Sequence, residues 1–273
     1  MLEAGRRVVK LYDDTPMMGH IAFGVIDRGT NVVQVRPTTI CNLNCIFCSV
    51  DAGPGSRFRQ VEYVVEDLCW LVDWVVSVAR FKGVKVEALI DGVGDPLTHP
   101  RIVELVSMLK DRREVATVSL ETHGQLLSYR LADELAAAGL DRINLSIDAL
   151  DPRLASKLQG AEWFDVRKVV EVAEYMAEST KVDVHLTPVW IPGINDEEIE
   201  KIIEWALRVG FGKRCPALGI QKYVKHKYGR KVPGVKEMSW GVFYRRLRAL
   251  ERKYGIKLVL SMKDYGMKPA PRV

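Results

Sequence analysis

Apolar β-branched runs and amphipathic stretches alternate along nearly the whole chain, and the period of each predicts an element. "NVVQVRP" (31–37) reads as a strand. Over 61–81, Val61, Val64, Val65, Leu68, Val72, Val75 and Ala79 fall at helical spacing, which predicts one long helix. Further strands are predicted over 84–92, 115–122, 141–148, 182–190 and 217–224, with a closing one at 256–261. Helices are predicted between them: 101–111, from the N-cap candidate Ser128 to the C-cap signal Gly139, 151–160 with 165–179, Asp196 to Leu207, and 240–255. Six consecutive β-then-α units imply parallel strands with right-handed crossovers, hence an α/β fold. The count suits a partial (β/α)6 barrel better than a closed one of eight units. Functional residues are then expected on loops at the carboxyl ends of the strands. The unusual stretches all sit there: the loop after the first strand, "DGVGDP", "ETHGQ", "SIDALD", "PVWIPGIND" and "QKYVKHKYGRK".

The pattern divides the chain into an N-terminal extension (1–30) packed on the barrel, a core (31–262) and a short basic tail (263–273). With 48% apolar residues in 273, one large domain has enough material for its core. No apolar run is long enough for a membrane span, and the N-terminus lacks a secretory signal, so a cytoplasmic protein with no membrane partner is expected. Asn and Gln total only ten residues while 27% are charged, a bias that points to a thermophilic source.

Charge is unevenly distributed. Residues 1–210 hold 23 Lys and Arg against 32 Asp and Glu, whereas 211–273 hold 17 against 3. The segment 221–231 interleaves Lys222, Lys225, Lys227, Arg230 and Lys231 with Tyr223, His226 and Tyr228. The following helix adds Arg245, Arg246, Arg248, Arg252 and Lys253. Such a 222–253 region predicts an anionic partner such as tRNA, since cations neutralise phosphates and rings stack unpaired bases. A solvated basic surface is the plainer alternative.

Three of the five cysteines, Cys41, Cys45 and Cys48, crowd into "CNLNCIFC". In a reducing compartment such spacing points to metal rather than disulfides. Three thiolates on one loop can hold a [4Fe–4S] cluster by three irons, leaving the fourth iron to an external ligand, whereas an electron carrier would want a fourth cysteine. Structural zinc would also want four protein ligands. No His lies between 21 and 98, so only a distant His99 or His123 could complete a zinc site. Cys69 is expected in the core of its helix, and Cys69 with Cys215 are too few for a second cubane.

"CNLNCIFC", with Phe47 before its last cysteine, resembles the signature of the radical S-adenosylmethionine (radical SAM) superfamily. The resemblance covers about 31–262 and implies the partial (β/α)6 barrel of that family. It implies a cluster held by Cys41, Cys45 and Cys48 and completed by SAM, and an external one-electron donor. The reaction implied is cleavage of SAM to a 5′-deoxyadenosyl radical that abstracts hydrogen from substrate. "DGVGDP" is similar to the family's Gly-rich motif, with Asp95 where Glu is commoner, and implies SAM contacts at Gly92, Gly94, Asp95 and Pro96. Ser146 and Asp148, on the "NLSID" strand with Asn144, are implied for the SAM ribose and carboxylate. Phe47 and Ile191 are implied for the adenine. Glu121 and His123 are candidates for substrate or SAM, and Trp190 is either adenine packing or core. Substrates other than tRNA stay open, namely a phosphorylated metabolite or a peptide, and a non-catalytic Fe–S or zinc protein is the rival class.

Overall fold

The computed structural model describes residues 6–273, so the first five residues of the expected extension lie outside the described residues. Four strands precede the first helix: β1 (Arg7–Leu11), β2 (Gly24–Asp27), β3 (Val32–Arg36) and β4 (Val61–Val65). Then come α1 (Leu68–Lys82), β5 (Val86–Ile90), α2 (Ile102–Lys110), β6 (Val115–Thr122) and α3 (Tyr129–Ala137). β7 (Arg142–Leu145), α4 (Pro152–Gln159), α5 (Val166–Ser179), β8 (Asp183–Leu186) and β9 (Val189–Trp190) follow. α6 (Asp196–Val209), β10 (Gln221–Lys222) and α7 (Trp240–Tyr254) complete the order.

The main sheet runs β2-β3-β5-β6-β7-β8. β3, β5, β6, β7 and β8 are parallel neighbours in that order, and β2 lies antiparallel on the β3 edge. Leu218 bridges to Leu186 in parallel, and β10 then pairs with β9, so 217–222 takes the sixth parallel position. The architecture is a partial (β/α)6 barrel of α/β class. Pro188, which has no N–H, breaks β8 from β9, and this is why the sixth position is made of short pieces.

Side-chain alternation sorts the strands into two faces. Val33, Val35, Ala88, Ile90, Val118, Leu120, Ile143, Leu145, Val184 and Leu186 are buried in the core. Their alternate neighbours form a buried polar network instead. The Arg142 guanidinium contacts the Glu87 carboxylate and donates to Asn144 Oδ1 (2.9 Å), and Ser119 Oγ donates to Glu87 (2.7 Å). Gln34 Nε2 donates to Asp91 (2.5 Å), with Arg36 beside both.

Three expectations need correction. Residues 61–65 are strand, not helix: β4 pairs in parallel with β1, from Arg7↔Val61 to Leu11↔Val65. The helix starts only after Asp67, whose carboxylate accepts from Trp70 N. Cys69 is consequently exposed rather than core, because it falls off the Leu68–Leu71–Val72–Val75 face. No strand forms over 256–261: the N–H groups of Leu258 and Val259 bond the Glu251 carboxylate instead of a ladder.

Candidate functional site

The loop after β3 carries Cys41, Cys45 and Cys48 to the carboxyl end of the barrel, where all three line one cavity of about 250 Å³. Several elements hold that loop. The amides of Asn44 and Ile46 donate to the last carbonyls of α4, Gln159 O and Leu158 O (both 2.9 Å), which the helix itself leaves unpaired. Gly160 follows with φ +59°, and a Cβ there would sit 2.2 Å from Asn44 O, so the loop approaches closely only because this residue is glycine. Arg230 reaches in from the basic segment: its side chain donates to Cys45 O (3.1 Å) and Ala52 O (2.5 Å) and pairs with Asp51 (2.9 Å). Its own N–H donates to Cys48 O (2.8 Å). Arg59 clamps the other side through Thr39 O and Val93 O (both 2.7 Å) and Glu62.

Most of the residues expected at the site do converge. Phe47, Gly92, Gly94, Asp95 and Ser146 line the cavity with the cysteines, together with Asp91, Glu121 and His123. Pro96, Asp148 and Ile191 do not line it. Pro96 starts a buried 3-10 turn. Asp148 lies past the end of β7, where strand alternation no longer sets its direction, and protein donors reach both its oxygens: Val189 N (2.7 Å) and Gln159 Nε2 (2.8 Å). Ile191 is fully buried, with its N–H on Asn195 Oδ1 (2.7 Å). Trp190 belongs to the core between α6 and α7, with its indole N–H on Asp196 (3.0 Å). Asn144 is held below by Arg142.

Asp95 is a junction rather than a free acid. Its carboxylate accepts from Leu97 N, Thr122 Oγ1, His123 N and Gln125 Nε2, tying the β5 loop to the β6 loop. Gly94 is needed because a Cβ would meet Thr39 O and Ile40 O at 2.3 Å, just before Cys41.

Electrostatics fit a cationic metal centre. Burial, then the charge of Asp95, pushes the Cys41 thiol up to about 12. Burial, then Cys41 and Cys48, pushes the Cys45 thiol well up. The metal must therefore displace protons to bind as thiolates hold it. Cys45 Sγ donates to Gln159 Oε1 (2.8 Å), Ala52 N donates to Cys48 Sγ (3.2 Å), and His123 Nε2 lies 3.7 Å from Cys45 Sγ. No three or more His, Cys, Asp or Glu side chains among the described residues converge on a single metal ion. Three thiols of one loop line one cavity, a donor set that a polynuclear cluster takes, whereas structural zinc wants four protein ligands. In the same cavity, burial and then Asp91 push the Glu121 carboxyl up to about 8, against the pull of Asn144 and Arg142. Burial likewise raises Asp91, with Arg36 opposing.

Sequence reasoning missed Arg59, Gln159 and Gly160 as supports of the cluster loop, and placed Arg230 on a free basic surface. Their partners lie far away in sequence, and no local pattern signals them.

Comparison with known proteins agrees with this geometry. The radical SAM superfamily profile matches residues 35–206. An uncharacterized protein of Methanocaldococcus jannaschii is 38% identical over 280 residues, covering 96% of this chain and 64% of its own length. A probable GTP 3′,8-cyclase of Pyrococcus abyssi is 34% identical over 191 residues, covering 68% of this chain and 56% of its own. The chain thus spans about half to two-thirds of the length of these relatives. Streptococcus suis SuiB bound to S-adenosylmethionine shares the fold, with a TM-score of 0.61 at 19% identity, over 82% of this chain and 47% of that one. The chain belongs to the radical SAM superfamily, whose enzymes use a [4Fe–4S] cluster and SAM and need an external electron donor.

Proposed function

We propose that this chain cleaves SAM reductively and directs the radical chemistry at a small molecule that carries an anionic group. When bound, the cluster and SAM supply the electron transfer and the hydrogen-abstracting radical, while the protein orients and shields them. The observation that carries the reading is the shared cavity: the three cysteines, Phe47, Gly92, Gly94 and Ser146 all face it. In this reading Cys41, Cys45 and Cys48 hold the cluster. Gly92 and Gly94 keep side chains away from backbone carbonyls that suit the methionyl ammonium. Ser146, paired with Thr187 (3.0 Å), offers a hydroxyl to the ligand, and Phe47 gives an apolar wall.

Cavity polarity supports the substrate class. Asp91 and Glu121 line it, and so do Lys222 of β10, whose ammonium is shared with Glu237, and His226 from the segment after β10. A molecule with N–H donors at one end and a phosphate or carboxylate at the other complements that arrangement. GTP, which the names of several relatives carry, is a molecule of this kind. The expected tRNA surface keeps less support. Lys222 pairs with Glu237, Arg230 with the cluster loop, Arg246 with Asp196 and Lys253 with Glu200, so these cations already have partners. The test is 5′-deoxyadenosine formation under anaerobic conditions with SAM and dithionite, with nucleoside triphosphates or bulk tRNA added. Stimulation by a nucleoside triphosphate with shallow salt dependence is expected. Stimulation by tRNA alone, collapsing as salt rises, would return the assignment to RNA.

A further inference from the structure

Two exposed aromatic rings stand over the cluster loop without a function in the scheme above. Phe58 and Tyr228 pack edge to face, with centroids 6.2 Å apart and planes at 75°, and both are more than half exposed. Contiguous exposed apolar surface marks contact sites, and aromatic anchors dominate such contacts. Cations flank the pair along the chain. Arg57, Lys225, Lys227 and Lys231 are all exposed, and the salt bridges among the described residues take Lys222 and Arg230 but none of these four. The nearest acids are occupied: Asp51 by Arg230, Ser56 and the Arg57 and Phe58 amides, and Glu237 by Lys222 and the Lys225 amide.

The patch is joined directly to the cysteine loop. Gly229 lies so close that a Cβ on it would be 2.8 Å from both Cys48 O and Ser49 O, and Arg230 N donates to Cys48 O (2.8 Å). On the loop side, Phe58 N donates to Asp51 Oδ2 (3.3 Å), and Asp51 pairs with the Arg230 guanidinium. The backbone that bears Tyr228 is thus one hydrogen bond from the peptide of the third cysteine.

We propose that Phe58, Tyr228, Arg57, Lys225, Lys227 and Lys231 form the docking surface for a small, acidic one-electron carrier protein. This rests on the radical SAM reading, which requires an outside electron. One electron leaves the reduced centre of the carrier and is taken up by the cluster, and no bond is made or broken. Four unpaired cations complement an acidic partner and speed its encounter. Nucleic acid fits the patch less well. Lys227 Nζ lies over one face of Tyr228 at 5.0 Å and Phe58 forms a T-shaped pair with the same ring, which leaves less open ring face for base stacking.

A bacterial flavodoxin, an acidic flavin carrier, serves as the probe. Its affinity for the cluster-loaded protein and the rate of cluster reduction by its reduced form are measured against salt. The triple variant Lys225→Glu, Lys227→Glu, Lys231→Glu should weaken binding by at least about tenfold and flatten the salt dependence. Phe58→Ser should weaken binding while leaving the salt slope intact. Dithionite, which needs no docking site, should reduce the cluster of every variant as in the parent. Flavodoxin binding that ignores the charge reversal, or an equal loss with dithionite, would overturn the proposal. Loss of bulk tRNA binding with flavodoxin binding intact would also overturn it and give the patch to nucleic acid.

Discussion

Cys41, Cys45 and Cys48 share the cavity, while Cys69 is exposed on α1 and Cys215 lies half-buried near Asp183. That separation predicts a sharp split among single variants. Replacing any one of the triplet with Ala should abolish the visible absorbance and the iron and sulfide content of the reconstituted cluster. Cys69→Ala and Cys215→Ala should keep both, and a triplet variant with full iron and sulfide would contradict the assignment. Glu121 makes a second prediction at this scale. Its carboxyl titrates near 8 in the fold, above the ordinary value of 4.5, so the folded state holds a proton that the unfolded chain releases. Stability therefore falls as pH rises from about 4.5 through about 8, because the unfolded state binds fewer protons there. Glu121→Gln removes this loss. Thermal melts at pH 5 and pH 9 should show the variant gaining on the parent only at the higher pH. An unchanged difference between the two pH values would mean that Glu121 ionises normally.

At the scale of elements, the meeting of α4 with the cysteine loop is the joint that sets the site. Gly160→Ala forces an L side chain into left-handed backbone and against Asn44 O. The strain costs about 1–3 kcal/mol. Denaturant unfolding should register that loss, and cluster content should fall because the loop must retreat from Gln159 and Leu158. Full stability with full iron would show that the loop does not depend on this contact. The same joint shows what a sequence can and cannot convey. The parallel strands and their helices are legible because each is written in its own local period, and the Ser128 cap falls where it was expected. β4 was not legible as a strand, since Val61, Val64, Val65 and Leu68 also satisfy a helical period and its partner β1 is about fifty residues away. Asp148 is implied as a SAM contact by the resemblance alone, and the local sequence does not show that Val189 and Gln159 occupy its carboxylate. The cysteine triplet was legible because its ligands are adjacent in sequence. Its supports, Arg59, Gln159 and Arg230, were not, because each acts through a distant contact.

Over the whole molecule, the division of charge is partly an internal match. The acidic α6 and the basic α7 pair through Arg246–Asp196 (2.7 Å) and Lys253–Glu200, with Arg246 also lying over Trp190. Two of the seventeen C-terminal cations are matched in this way, and Arg230 serves the cluster loop. The barrel contributes a polar network below and a cysteine loop above, with a cavity between them. No helix among the described residues is long and apolar enough to cross a membrane. The central claim is that this cavity cleaves SAM. Its most direct test is anaerobic incubation of the cluster-loaded protein with SAM and dithionite, with 5′-deoxyadenosine and methionine measured by chromatography. The two products should appear in equal amounts, and Cys45→Ala should give neither. Intact SAM from a protein whose iron and sulfide are full, or a purified protein that carries only zinc, would contradict it.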